Sequence, residues 1–461
     1  MFRNLKHHFL LILVSLWGIP FGMSQTWLPL DKGIECLYGG TLIRDIVVDT
    51  VTDRLFVSGT FVEDGNCVIM RGVAQWDGQR WDSVGLGSEG NATKLGMTMY
   101  NDTLYVTGNF YDLNNNFYFG KWNGTFWDTL PHSPYEAWAF AEKNGILYMG
   151  GPFDYLTGDS TYMITKYDGT QFTGDIPYCF SGEGNSVNAM VFYHDTLYVA
   201  GYYDLLTCKG LGSLGKWDGN DLQLVSPEFA NDGGNCNIEA MVEYQDELYI
   251  GGYFLQSHGY AGNYIMKWNG STFSPVGTGM NGRVKCMKVY NNKLYVGGYF
   301  TDAGGVASTS YIAMWDGSNW NSITTDAFDA GEALISVEAI DVYRDSLIIG
   351  GSFTSINGDT ACRKIAKYNS ALTGIGERSR SNVMSLFPNP ANDQITIEFT
   401  SALNTVLEIK NIFGQTLYNE TIKSIPAKQS KSIDISAFSK GVYFIRINSG
   451  ETVISSKFIK N

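Results

Sequence analysis

Past its first two dozen residues the chain has little histidine, no long apolar run and no paired-cysteine motif, and each shortage excludes a class of protein. Only His132, His194 and His258 lie outside the N-terminal segment, so a multi-histidine metal centre has few donors. No window after residue 24 approaches the ~20 apolar residues that a membrane-spanning helix requires. There is no Gly-rich phosphate loop, no His-Glu-x-x-His helix and no Cys-x-x-Cys zinc pair. Basic residues are scarce over most of the length: residues 25–376 hold 20 Lys and Arg against 39 Asp and Glu, whereas 377–461 hold 10 against 7. An acidic first part repels phosphate backbones and anionic headgroups, which disfavours nucleic acid and membrane surfaces as partners. With 44% hydrophobic and 14% aromatic residues in 461, a large core is available and disorder is excluded.

What is present is a sevenfold repeat with a period of about fifty residues, the signature of a β array. Each copy pairs an apolar strand ending in Gly with a later aromatic-Asp/Asn-Gly turn and a further aromatic. The strands begin at Leu55, Leu104, Leu147, Leu197, Leu248, Leu294 and Leu347, and the turn aromatics are Trp76, Trp122, Tyr167, Trp217, Trp268, Trp315 and Tyr368. In the most regular copy, Val284 to Tyr290, Leu294 to Phe300, Tyr311 to Trp315 and Trp320 to Thr324 read as four antiparallel strands. Four strands per unit predict a propeller blade. The seventh copy stops at Tyr368-Asn369-Ser370 without its last strand, while Trp27-Leu28-Pro29-Leu30 parallels Trp81-Asp82-Ser83-Val84 and Phe273-Ser274-Pro275-Val276. The expected fold is therefore all-β: a seven-bladed β-propeller closed by the N-terminal strand, which removes a free sheet edge. The glycine pairs Gly150-Gly151, Gly251-Gly252, Gly297-Gly298 and Gly350-Gly351 and the later aromatics resemble the kelch and galactose-oxidase type of propeller. A copper centre of that kind would need two histidines and tyrosines on one metal with a Cys-Tyr crosslink, a set that no linear motif supplies.

Repeated residues build the scaffold, so a ligand site is expected where the copies differ. The loops between second and third strands and between blades are longer than the hairpin turns and share one face, the candidate functional face. Its candidate ligand-binding residues are Tyr178, Glu183, Phe229, Asp232, Asp326 and Asp329. No catalytic set, cofactor or metal site is assigned. Six of the seven cysteines fall on this face, and Cys36 with Cys67 and Cys179 with Cys208 have nearly equal separations at equivalent blade positions, which makes them the expected disulfides in an oxidising compartment. Cys286 stands where other copies have Ala189, Ala240 and Ala339 and reads as a buried small residue.

After Gly374 the repeat ends, and a second pattern of short alternating strands suits a small Ig-like β-sandwich. Phe387-Pro388-Asn389-Pro390, Asn411-Ile412-Phe413-Gly414-Gln415, Gly441-Val442-Tyr443-Phe444-Ile445 and Lys457-Phe458-Ile459-Lys460 occur in that order. These motifs closely resemble the C-terminal sorting domain of the Bacteroidota type IX secretion system, type A. The resemblance implies passage through the outer membrane by that machinery, followed by release or surface attachment. At the other end, Arg3, Lys6, the apolar stretch Phe9 to Trp17 and the small residues Gly22 and Ser24 read as a secretory signal. The expected organisation is a signal peptide at 1–24, a propeller at 25–373, a linker at 374–385 and a sorting domain at 386–461. The functional expectation is a secreted or surface-held binding or adhesion protein with a glycan or protein ligand, the alternatives being a secreted carbohydrate-active enzyme and a structural surface-layer component.

Overall fold

The computed structural model describes residues 26–35, 42–66, 69–70, 72–84, 96–111, 116–130, 136–152, 163–173, 186–202, 214–219, 222–226, 229, 236–257, 260–329, 334–369, 385–387, 390–401, 405–411, 415–422, 427–449 and 452–460. Among these, the residues up to Asn369 form seven four-stranded antiparallel sheets in a propeller-like arrangement. The sixth sheet shows the plan: Val284–Tyr290, Lys293–Gly298, Ile312–Trp315 and Trp320–Asn321 pair in sequence order. In the seventh, Val337–Tyr343, Ser346–Gly351 and Ile365–Asn369 are completed by Thr26–Pro29, with Trp27 opposite Tyr368.

The turn between third and fourth strands is fixed by its first polar residue. Asp316 Oδ1 accepts the backbone N–H groups of Ser318 at 2.9 Å and Asn319 at 2.8 Å, and Gly317 takes φ of 102°. Asp77, Asn123, Asp168 and Asn269 repeat the arrangement. This is an Asx turn, which explains why Asp or Asn precedes Gly in the first six copies.

The two glycines of the second strand have different reasons to be small. A methyl group on Gly298 would sit 2.1 Å from the Arg283 carbonyl oxygen, and Gly59, Gly151, Gly201, Gly252 and Gly351 meet the equivalent carbonyl just as closely. No side chain fits there. The preceding glycine faces the next sheet instead: Gly251 is filled by Val284, Gly297 by Val337 and Cys286, and Gly350 by Ile43. That position accepts Ser58, Thr107 and Ala200 elsewhere.

Several neighbouring sheets are stitched by recurring bonds. The hydroxyls of Tyr193, Tyr244 and Tyr290 donate to Asp246, Asn292 and Asp345 carbonyls in the next sheet, and Tyr343 donates to Asp53 in the first. Farther out, Trp127 Nε1 donates to Val84 O, Trp320 to Val276 O and Trp81 to Leu30 O, at 2.9 to 3.1 Å. Leu30 thus occupies the place of Val84 and Val276.

The C-terminal unit has two facing sheets. Ser385–Phe387, Gln394–Ser401 and Ala427–Asp434 form one, and Thr405–Asn411, Thr416–Ile422, Gly441–Ser449 and Thr452–Lys460 the other. Their inward residues, including Ile395, Ile397, Leu407, Ile409, Tyr443, Ile445 and Phe458, make one buried cluster. The alternation expected of a sandwich is thus present.

Candidate functional site

A partly open cavity of about 370 Å³ lies among the first strands of the sheets, at the middle of the propeller. Its wall is set by a repeated irregularity in those strands. Pairing with the second strand slips between Ile43 and Asp45, Val187 and Ala189, Ile238 and Ala240, Val284 and Cys286, and Val337 and Ala339. Each slip is a β-bulge, which leaves one residue unpaired and re-aims its side chain. The extra residues are Arg44, Asn188, Glu239, Lys285 and Glu338; Trp138 holds the matching place before Ala139, and all six line the cavity. The scaffold repeats its geometry here and varies its chemistry.

The polar members form a network running round half of the wall. Ser186 Oγ donates to Asn188 Oδ1 at 3.0 Å, Asn188 Nδ2 to Asn237 Oδ1 at 2.6 Å, and Asn237 Nδ2 to Glu239 Oε1 at 2.9 Å. Arg283 forms a two-pronged pair with Glu239, its Nε lying 2.7 Å from Oε2. Lys285 then bridges two carboxylates, 3.1 Å from Glu239 and 3.4 Å from Glu338.

Glu338 is buried, and burial alone would raise its pKa. The Lys285 charge, hydrogen bonds from Tyr299 and Ser336, and the Arg44 charge outweigh that and hold it below the ordinary glutamate range. Glu338 Oε1 and Arg44 Nε are both buried and have no hydrogen-bond partner among the described residues. Asp45 behaves oppositely: burial pushes its carboxyl up to about 7, although the Met97 and Ile46 N–H groups donate to it at 2.9 and 2.8 Å. The Met97 bond ties the first sheet to the second. Cys286 is half-buried in the wall, and burial drives its thiol well above the ordinary cysteine value. An inert, protonated thiol results.

The loop-face candidates are distributed differently. Tyr178, Glu183 and Asp232 lie outside the described residues, as do all four cysteines of the expected disulfides, Cys36, Cys67, Cys179 and Cys208. Phe229 is buried edge-on against Phe254 and Phe273. Asp326 accepts Thr26 Oγ1 at 2.9 Å and Trp27 N at 3.0 Å, and Asn357 Nδ2 donates to its other oxygen, so it anchors the N-terminal strand. Asp329 is exposed, with its carbonyl held by Thr354. None of these three lines the central cavity. On the short-turn side, His194 stacks on Tyr193 and lies 2.6 Å from Asp246, and with Glu243 it makes an exposed trio whose potential ligand atoms lie within 4.8 Å of one another.

In the sorting module, Tyr443 is buried and stacked on Phe458, while Gly441–Ser449 and Thr452–Lys460 run antiparallel with Gly441 opposite Lys460. Just after Pro390, Ala391 N donates to Ile459 O at 2.7 Å, and buried Lys460 reaches Asp393 at 3.5 Å. The last motif of the module therefore meets the segment that follows the first. Pro388 and Asn389 lie outside the described residues.

These features define an exported, propeller-like all-β protein with a separate β-sandwich tail. Residues 385–461 match the family model described as a secretion system C-terminal sorting domain, and this type IX signal directs the chain to the cell surface or the extracellular space. No curated protein matches the chain. Among solved structures the chain is similar to PorZ of Porphyromonas gingivalis, an essential bacterial surface component of the type-IX secretion system, at 12% identity over 95% of this chain and 85% of that one, with a TM-score of 0.29. Among the described residues no helix is long and apolar enough to cross a membrane.

Proposed function

We propose that this protein is a secreted or surface-held binding protein in which seven blades, spanning 25–373 and closed by the N-terminal strand, present a ligand site at their centre. The supporting observation is the set of bulge residues. Arg44, Trp138, Asn188, Glu239, Lys285 and Glu338 occupy one structural position, are of five residue types among six copies, and line one cavity. A purely structural propeller has no use for buried charges there, because apolar residues would pack the same position at lower cost. Binding is favoured over hydrolysis because two of the three cavity carboxylates are committed, Asp45 accepting two backbone N–H groups and Glu239 held by Arg283, Lys285 and Asn237, which leaves Glu338 alone with an open oxygen. A general acid paired with a free carboxylate, as glycoside hydrolysis uses, calls for a less encumbered pair. Glycan-array and protein-ligand screening of the full chain, run beside an unbiased hydrolysis screen, tests this reading. Retention of a ligand without turnover is expected; turnover dependent on loop-face acids would replace it with the carbohydrate-active enzyme.

A further inference from the structure

The central cavity has two arcs of different character. Sheets five, six, seven and one contribute Glu239, Lys285, Glu338 and Arg44, with signs alternating along the wall. The third sheet, three sheets away from the sixth and the seventh in either direction, contributes Trp138 and Phe140. A cavity with one aromatic side and one polar side suits a ligand that is itself two-faced.

Most of the polar arc is already satisfied, and what remains open is specific. The Arg44 Nε donor and the Glu338 Oε1 acceptor are buried without partners among the described residues, and the Arg44 charge is felt at Glu338, so both belong to one neighbourhood. An unpaired buried acceptor on a side chain only 7% exposed is costly unless a ligand or water completes it.

Charge alternation decides what can complete it. A ligand ammonium at Glu338 Oε1 would lie near both Lys285, 3.4 Å from the other carboxylate oxygen, and Arg44. A ligand carboxylate at Arg44 would face Glu338 and the adjacent Asp45. Either charge meets its like within a few ångströms in a poorly solvated site. A hydroxyl both donates and accepts and incurs neither repulsion.

We propose, building on the binding-site reading above, that the cavity takes a neutral polyhydroxylated ligand the size of one sugar ring, with adjacent hydroxyls bridging Arg44 Nε and Glu338 Oε1 and the ring's apolar face toward Trp138. The volume of about 370 Å³ accommodates one such ring with ordered water.

Saturation-transfer NMR and calorimetry on the full chain at pH 7 test this with methyl glycosides of glucose, galactose and mannose and with N-acetylglucosamine as neutral probes. Glucuronate, glucosamine and glycine serve as anionic, cationic and zwitterionic probes. At least one neutral probe should bind, with affinity at least tenfold weaker in Arg44→Ala and in Glu338→Gln. Arg44→Ala breaks no hydrogen bond among the described residues, so a single cooperative melting transition well above the assay temperature separates lost recognition from lost fold in that variant. A charged probe that binds best, in an Arg44-dependent way, overturns the neutral-sugar class and leaves the site standing. No binding by any probe, or binding indifferent to both substitutions, overturns the site as well.

Discussion

In the propeller the hairpin between the third and fourth strands, present in the first six sheets, and the strand nearest the centre follow opposite rules. The hairpin repeats both geometry and chemistry: an aromatic, an Asx residue gripping two N–H groups, and a glycine at positive φ. The inner strand repeats geometry alone, since the bulge recurs while its residue changes from Arg44 to Asn188 to Glu239 to Lys285 to Glu338. Uniform chemistry suits positions whose neighbours are the same in every copy. Varied chemistry at a fixed position is what a single shared ligand would demand, because each sheet then meets a different part of it.

Five substitutions, one of them read through a titration, sharpen that contrast. Gly298→Ala places a methyl group 2.1 Å from a backbone oxygen that cannot yield, so a loss on the order of 4 kcal/mol or more is expected in urea midpoints. Lys285→Met leaves Glu239 and Glu338 without their shared cation, which should cost about 3 kcal/mol at neutral pH. That loss should shrink in acid as the Glu338 carboxyl takes up its proton. A comparable figure at pH 3 and pH 7 would show that the bridge is not what stabilises the inner wall.

The titration concerns Asp45. Its folded-state pKa of about 7 stands above the ordinary 3.8, so the folded protein holds the proton more tightly than the unfolded chain. Stability from this group is therefore greatest below about pH 4 and declines as pH rises toward 7. Asp45→Asn should flatten that slope in thermal melts taken across the window. Gly124→Ala, at φ of 95° with nothing within 4 Å, tests conformation without crowding, and about 1–2 kcal/mol is expected. Arg44→Ala removes one of the charges that hold the buried Glu338 ionised, so a loss of no more than about 1 kcal/mol is expected, which sets a binding residue apart from the scaffold glycine Gly298 of the same sheet plan.

Much of this plan was legible in residue order. Trp27-Leu28-Pro29-Leu30 announced the displaced strand, and Trp81 donating to Leu30 completes the parallel with Val84 and Val276. The sorting module was equally readable, because its motifs are contiguous. The cavity was not. Strand alternation assigns every second residue to one face, and a bulge breaks that count, so Glu239 and Glu338 gave no sign of facing the centre. A weak signal existed: each stands immediately before the small residue at Ala240 or Ala339, as Lys285 stands before Cys286. Phe229 misled for a simpler reason, since an aromatic in a loop can pack inward as readily as it can meet a ligand.

The place of Ile365–Asn369 has a mechanical consequence. The chain leaves the propeller from this strand on its way to the sorting domain, and the strand is paired on both sides, by Ser346–Gly351 and by Thr26–Pro29. Tension applied through the tail is thus shared between two rows of hydrogen bonds, where an edge strand would offer one and peel. The N-terminal strand, itself pinned by Asp326 through Thr26 and Trp27, acts as a clamp on the point where load enters. A protein tethered by one end in moving fluid gains grip from such a seam.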